Sequence, residues 1–300
     1  MKSFLTIIIL SLFISGCTII ALEVSSDVFK RIEAGSSIDF WKNGYPREEF
    51  HFYSGKNKLQ GFIYGSENDK GLAVISHGLQ TYADENFRMI MYLVDNDWRV
   101  FSYNNTGVAG SEGYSMIGLP QGLLDLKAAL NYIENKNEFD DLPVMLIGYS
   151  WGGYSVCAVL NFNYRIKAVV SLAGYNSATE VMEKQAVDAV GGIYHLVSPQ
   201  TLELQNQLFG ETAKLTAVDG INKTRIPVLI VISSDDDIIP PNTISIYAHR
   251  KKITNPYAEY LYLEGENAGG HRLRNYTKEI LYIKVNDFLE RSKKKVLPLT

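Results

Sequence analysis

Residues 142–154 read LPVMLIGYSWGGY and carry the clearest structural pattern in the sequence. Its first half contains a short apolar run, Val144 to Ile147, bounded by a proline and a glycine, which is typical of a buried strand. From Tyr154 to Leu160 the apolar residues return at a spacing that favours a helix. The sequence therefore predicts a strand that turns into a helix within five residues, with Ser150 at the corner.

A corner this tight requires unusual backbone angles and small neighbouring residues, and the sequence provides them. The residue at the tip is forced towards strained backbone angles, and its neighbours must be small, as Gly148 and Gly152 are. The Ser150 hydroxyl would then stand clear of the sheet at a helix N-terminus, where partial positive charge favours a developing anion. This is the G-x-S-x-G pattern of a nucleophile elbow. A chance match is the alternative, but the strand before and the helix after favour a nucleophilic serine.

The composition of the chain limits which fold classes, partners and cofactors are compatible with it. The 300 residues, 46% of them hydrophobic, can bury a large core, most simply as one α/β domain with insertions. The net charge of −4, without a long basic run, argues against a nucleic-acid partner. The chain has neither phosphate-binding glycine motif nor paired histidines at helical spacing, so we predict no cofactor and no metal. No pattern indicates an oligomeric state.

The N-terminus has the features of an export signal. Lys2 gives a positive start, and Phe4 to Ile14 is an apolar run of signal-peptide length. The tetrapeptide Ile14-Ser-Gly-Cys17 resembles the bacterial lipobox, which implies cleavage after residue 16 and a lipid anchor on Cys17 in the cell envelope. The alternative is an uncleaved span, since Phe4 to Leu22 is uncharged and nearly long enough to cross a bilayer. Both interpretations place the remaining chain outside the cytoplasm; we favour the lipoprotein.

The predicted organisation is a signal peptide at 1–16, a lipid anchor and tether at 17–44, and a folded domain at 45–294. Within the tether, Asp27 to Ala34 could form a short helix. With Cys17 lipidated, Cys157 is the remaining thiol, and its place in the helix after Ser150 predicts a buried small hydrophobe.

Within the domain, strands alternate with helices. Strands are predicted at 48–53, 59–64, 71–76, 98–103, 144–147, 167–172, 228–232 and 258–263, and helices at 84–95, 121–135, 151–162, 242–251 and 275–291. The first two strands form a hairpin, and the others predict a mostly parallel sheet with helices on both faces. Residues 175–224 interrupt the alternation with short helices near 180–190 and 199–208, which predicts a small helical lid over the site.

A serine nucleophile needs a base and a carboxylate that orients the base. Such groups lie on loops at the carboxyl ends of parallel strands. The predicted strand at 228–232 leads to three consecutive acids, Asp235, Asp236 and Asp237, and the strand at 258–263 leads to GENAGGH, which ends at His271. The resulting order of Ser, Asp and His along the chain is the order that the elbow motif predicts.

Of the five histidines, only His271 follows a strand in the required place. We interpret His51 as an ordinary strand residue and His195 as part of the insertion. His249 heads a basic run on a predicted helix and is interpreted as solvated. His77 lies after an earlier strand, next to the site.

These motifs resemble the α/β-hydrolase superfamily. In that family the acid commonly occurs as D-x-x-I/V-P, which matches residues 236–240 and implies Asp236 as the acid. The His77-Gly-Leu79 element resembles the family's H-G-x loop. It implies that the Leu79 N–H, together with the N–H of Trp151 after the nucleophile, forms an oxyanion hole, and that His77 supports this loop.

One family loop is matched imperfectly. Residues 103–111, YNNTGVAGS, resemble Y-D-x-R-G-x-G-x-S, but Asn104 replaces the acid, Thr106 the arginine and Ala109 the second glycine. The internal salt bridge of that loop is therefore predicted to be absent.

Order and spacing resemble the serine aminopeptidase and monoacylglycerol-lipase-like group most. The resemblance implies a serine hydrolase that cleaves carboxylic esters, with acyl-ester or lipid-like substrates, and the lipobox-like N-terminus predicts that it is anchored to a membrane. Two alternatives stay open. One is a peptidase that holds a free N-terminus with the insertion acids Glu180, Glu183 and Asp188. The other is a non-catalytic envelope binding protein, against which the complete set of Ser, Asp and His argues.

Overall fold

An eight-stranded sheet forms the centre of the computed structural model, which describes residues 29–34, 44–192, 198–273 and 278–294. The strands are β1 (Arg47–Ser54), β2 (Asn57–Tyr64), β3 (Leu72–Ser76), β4 (Arg99–Tyr103), β5 (Val144–Tyr149), β6 (Ile166–Leu172), β7 (Val228–Ser233) and β8 (Ala258–Leu263). Their spatial order is β1-β2-β4-β3-β5-β6-β7-β8. β2 is antiparallel to β1 and β4, and the other neighbours are parallel. The predicted parallel sheet with an antiparallel hairpin edge is confirmed.

Helices cover both faces of this sheet. They are α1 (Phe87–Asp95), α2 (Gln121–Glu134), α3 (Trp151–Ala158), α4 (Ala178–Val190), α5 (Ser198–Phe209), α6 (Ala217–Asn222) and α7 (Lys278–Lys294). Alternate residues of a strand point to opposite faces. Accordingly, Val144 and Leu146 pack in one apolar cluster with α2 and α3, whereas Met145 and Ile147 pack in a second cluster with α1 and α7. Both faces of β5 are therefore buried, as its unbroken apolar run indicates.

One predicted helix is wrong. Residues 242–251 were expected to be α-helical, but the structure has only a 3-10 helix at Tyr247–Lys252. The Ser245 hydroxyl donates to the Pro241 carbonyl at 3.0 Å and accepts from the Ala248 N–H at 3.0 Å. Serine side chains that bond nearby backbone in this way compete with helix formation.

Residues 29–34 are extended and pack on the domain, so the short helix expected over Asp27 to Ala34 is not formed there. Isolated bridges join Lys30 to Ser115 and Ile32 to Val108. The Arg31 guanidinium donates to the carbonyls of Ser111 (2.8 Å), Gly113 (3.0 Å) and Ala109. Backbone pairing and arginine bonds to the 105–116 loop thus outweigh the local helical preference of these residues.

The predicted signal peptide, Cys17 and the first part of the tether lie outside the described residues, as does His195. In the part of the chain that the structure describes, no helix has the length and apolarity to cross a bilayer.

The insertion between β6 and β7 carries α4, α5 and α6. α6 packs against α3, the helix that follows Ser150. The Phe209 ring at the end of α5 lies against the backbone at Gly118, and the next residue, Leu119, accepts a 2.6 Å hydrogen bond from the indole of Trp151. Two of the three helices of the insertion, α5 and α6, therefore approach the elbow.

Candidate active site

Ser150 lies at the corner between β5 and α3 in a strained conformation, with φ 54° and ψ −109°. Its N–H donates to the Leu172 carbonyl at 2.7 Å, and its carbonyl accepts from the Tyr154 N–H at 3.0 Å. A Cβ at Gly148 would overlap the Gly152 carbonyl, and a Cβ at Gly152 would overlap the Ser76 carbonyl. Only glycine at these two positions lets the strand and helix close around the serine.

The structure brings Ser150, His271 and Asp236 together, although 121 residues separate the first two along the chain. The His271 Nε2 lies 2.8 Å from the Ser150 Oγ. The His271 Nδ1 lies 2.9 Å from one carboxylate oxygen of Asp236 and 3.1 Å from the other. Because a carboxylate can only accept here, the proton is on Nδ1, which leaves Nε2 free to accept from the serine hydroxyl.

The Asp236 side chain is almost completely buried, with 2% of its surface exposed. Its Oδ1 also accepts hydrogen bonds from the N–H groups of Ile238 (3.1 Å) and Ile239 (2.8 Å). Backbone donors of this kind fix the position of the carboxylate. Asp235 and Asp237 are exposed, and neither contacts the His271 ring within the described residues.

Of the two expected oxyanion donors, Leu79 lies on the loop after β3 and Trp151 is the first residue of α3. The backbone at Gly152, next to Trp151, runs directly against Ser76 and His77 at the end of β3, where the Leu79 loop begins. Among the described residues, the N–H groups of Leu79 and Trp151 donate to no backbone carbonyl. Both residues lie next to the point where β3 approaches the Ser150 corner.

His77 is fully buried behind this loop. Its Nε2 accepts from the Asn105 N–H at 3.1 Å, so its proton is on Nδ1, which donates to the Gly78 carbonyl at 2.8 Å. Burial lowers the pKa of His77 to about 4. A neutral imidazole therefore joins the Gly78 turn to the 103–111 loop, as a support and not as a base for Ser150.

This burial predicts a pH-dependent stability. The unfolded chain protonates His77 near pH 6.5 and the folded chain only near pH 4, so stability falls as the pH drops through that window. Between pH 7 and pH 5 the protonation of His77 in the unfolded chain should lower the free energy of unfolding by about 2 kcal/mol. Urea unfolding of the wild type and of His77→Asn at both pH values measures this. Equal pH dependence in the two proteins would contradict the assigned burial.

The 103–111 loop is held by a buried carboxylate that the sequence analysis missed. Asp125 accepts from the N–H and hydroxyl of Thr106, at 2.7 and 3.0 Å, and from the Gln121 amide at 2.7 Å. Burial raises the pKa of Asp125. Its one sequence signal is an acid on the otherwise apolar face of α2, between Leu123 and Leu126. A hydrogen-bonded carboxylate thus orders the loop that lacks the family's arginine.

The acids of the insertion are largely engaged within the chain. Glu180 accepts from the Asn176 amide at 3.1 Å, and its other oxygen lies 3.3 Å from His249. Asp188 pairs with Lys184 at 2.5 Å. His249 is partly buried in this contact, so its interpretation as a solvated residue is wrong. Because of these pairings, the acids that were expected to bind a substrate ammonium have less unpaired negative charge available for it.

No group of three or more side chains suited to hold a metal occurs among the described residues. Cys157 is buried in α3, and burial raises the pKa of its thiol to about 12. The thiol is thus inert at neutral pH.

The family model described as serine aminopeptidase, S33, matches residues 67–213, which include Leu79, Ser150 and Trp151 but end before Asp236 and His271. An α/β-hydrolase domain-containing protein from Arabidopsis thaliana, WAV2, is 26% identical over 163 residues. The match covers 54% of this chain and 51% of WAV2, so the chain spans about half the length of that relative.

Solved structures share the fold at low identity. An esterase from Pyrococcus furiosus superposes with a TM-score of 0.67 at 16% identity, covering 87% of this chain and 98% of the esterase. An acylaminoacyl peptidase from Pyrococcus horikoshii gives 0.61 at 16% identity, covering 85% of this chain and 43% of the peptidase. Together with the strand order and the elbow, these likenesses show that the chain has the α/β-hydrolase fold, and the family model and WAV2 support its membership of that superfamily.

Proposed function

We propose that this chain is a serine hydrolase that cleaves carboxylic esters outside the cytoplasm while anchored to a membrane. The observation that carries the catalytic part is the continuous hydrogen-bonded path from Ser150 Oγ through His271 to Asp236, with distances of 2.8 and 2.9 Å. These are hydrogen-bond distances at which a base can take the serine proton directly.

In the proposed mechanism His271 Nε2 takes the proton of Ser150 as Oγ attacks the acyl carbon of the ester. The N–H groups of Leu79 and Trp151 hold the negative oxygen of the tetrahedral intermediate. His271 then gives the proton to the leaving alcohol, and the acyl group remains on Ser150. A water molecule that loses its proton to His271 releases the acid and restores the serine. Asp236 orients the imidazole and stabilises its cationic form throughout.

The insertion is proposed to act as a lid. Its helix α5 contacts the Gly118 backbone, next to the carbonyl that holds the Trp151 indole. The same helix carries Leu202, Leu204 and Leu208 with 38–51% of each side chain's surface exposed. Exposed apolar side chains on the insertion support acyl substrates with hydrocarbon character.

A peptidase of the same fold is the second candidate, because the matched family model is that of serine aminopeptidases. The insertion acids argue against recognition of a free ammonium, since Glu180 and Asp188 already have partners within the chain. We therefore rank ester hydrolysis first.

A substrate comparison tests this ranking. p-Nitrophenyl esters of increasing chain length should be hydrolysed faster than aminoacyl-naphthylamides, and Ser150→Ala should reduce both to background. Faster cleavage of the amides would favour the peptidase. A wild-type protein inert towards esters, thioesters and amides would favour the non-catalytic binding protein.

The anchor is proposed from the sequence around Cys17. Mass analysis of the mature protein extracted from membranes should show loss of residues 1–16 and a diacylglycerol-modified Cys17. Intact residues 1–16 in the membrane fraction would instead support an uncleaved span.

A further inference from the structure

The proposed mechanism uses the middle acid of three that follow β7, and the first of the three has contacts of its own. Asp235 Oδ1 accepts the Ser233 hydroxyl at 2.6 Å and the Gly270 N–H at 2.8 Å. The Ser233 Oγ in turn accepts the Gly269 N–H at 2.9 Å. The two residues that precede His271 are therefore both bound, through their backbone, to the end of β7.

These hydrogen bonds hold a loop segment that has no side-chain packing at Gly270. Gly270 has a φ of 60°, and a Cβ built on it would meet no atom within 4 Å. Consecutive glycines lose the most backbone freedom when they are ordered, and fixing the backbone costs about 1–2 kcal/mol per residue. With no side chain to pack at Gly270, the two hydrogen bonds to Asp235 and Ser233 attach this part of the loop to the end of β7.

The backbone of His271 is also held on its other side. The Tyr149 hydroxyl donates to the His271 carbonyl at 3.0 Å, and the two rings lie 5.4 Å apart. Tyr149 directly precedes Ser150. Its bond to the His271 carbonyl therefore links the backbone of the base to the residue next to the nucleophile, in addition to the hydrogen bond between the two side chains. Asp236 fixes the ring, whereas Asp235, Ser233 and Tyr149 fix the main chain that carries it.

We infer that Asp235 and Ser233 are positioning residues that keep His271 Nε2 within hydrogen-bond reach of Ser150 Oγ. The Asp236 carboxylate thus binds the imidazole of His271, whereas the neighbouring Asp235 carboxylate binds the N–H of Gly270. The hydroxyl of Ser233 and the Gly270 N–H lower the pKa of Asp235, so the acceptor is a carboxylate at neutral pH. This inference rests on the proposed function, because it assigns a role in the same reaction.

The test compares Asp235→Ala with Asp235→Asn, which are matched in charge but differ in the acceptor oxygen. Asp235→Ala should lower kcat for an ester by about 10–100-fold, because a displacement of about 1 Å can cost 10²-fold in rate. KM should stay within about threefold of wild type, since ground-state substrate binding is not touched. Asp235→Asn keeps an amide oxygen for Gly270 and should stay within about threefold of wild-type kcat.

Two further variants complete the design. Asp237→Ala, at the exposed third acid, should leave kcat unchanged, and Ser233→Ala should lower kcat as Asp235→Ala does. Thermal melting should show similar Tm values for wild type and both Asp235 variants, since the side chain is exposed.

The inference is overturned if Asp235→Ala turns over esters within twofold of wild type, or if Asp235→Asn is as impaired as Asp235→Ala. Either result would leave the proposed function standing, because wild type would still be active. A wild type without ester turnover would remove the proposed function and this inference with it.

Discussion

Asp236→Asn should lower kcat for an ester by about 10⁴ while the protein remains folded. The asparagine oxygen can still accept the Ile238 and Ile239 N–H groups, so the loop keeps its shape. The amide nitrogen, however, cannot accept the His271 Nδ1 proton. The imidazole then favours the tautomer with its proton on Nε2, directed at Ser150 Oγ, and it can no longer act as a base.

The matched control is Asp237→Asn, which changes the same charge next to Asp236. Steady-state kinetics on one p-nitrophenyl ester, with Tm measured for each protein, separates lost catalysis from lost folding. We expect Asp237→Asn to be as active as wild type. If Asp236→Asn kept more than a tenth of wild-type kcat, the choice of Asp236 as the acid would be wrong.

Gly152→Ala should destabilise the fold by at least about 3 kcal/mol, which lowers Tm by roughly 6–12 °C in a chain of this size. The added Cβ would overlap the Ser76 carbonyl oxygen and carbon, and both are backbone atoms that cannot rotate away. To relieve the overlap, β3 or α3 must shift, and either shift disturbs the corner at Ser150.

Gly192→Ala is the control for this substitution. A Cβ at Gly192 meets no atom within 4 Å, and the residue is exposed. Its stability should stay within about 0.5 kcal/mol of wild type. Thermal and urea unfolding of the two variants measure the difference, and equal stability of both would contradict the close approach of α3 to β3.

Local pattern predicted the sheet well because each strand carries its own signal. The unbroken apolar run of β5, the glycines around Ser150 and the turn residues after β7 and β8 are features that a few consecutive residues encode. The order of Ser150, Asp236 and His271 follows from the same logic, since parallel strands place their following loops at one edge. The resemblance to a family then singled out Asp236 among three adjacent acids.

The parts that could not be predicted depend on partners distant in the chain. Arg31 binds carbonyls 78–82 residues away, and this pairing holds residues 29–34 in an extended conformation. The Tyr149 hydroxyl bonds a carbonyl 122 residues away. Asp235 is one of three adjacent acids, and only the fold shows that it binds the N–H of Gly270. Such long-range contacts do not produce a periodic pattern in the sequence.

The central claim is that Ser150 is the nucleophile and that His271 activates it. The most direct measurement is to treat purified protein with a fluorophosphonate and to locate the adduct by peptide mass analysis. We predict one adduct, on Ser150, that is absent in Ser150→Ala and forms far more slowly in His271→Ala. An adduct that persists in Ser150→Ala, or labelling that is equally fast without His271, would contradict it.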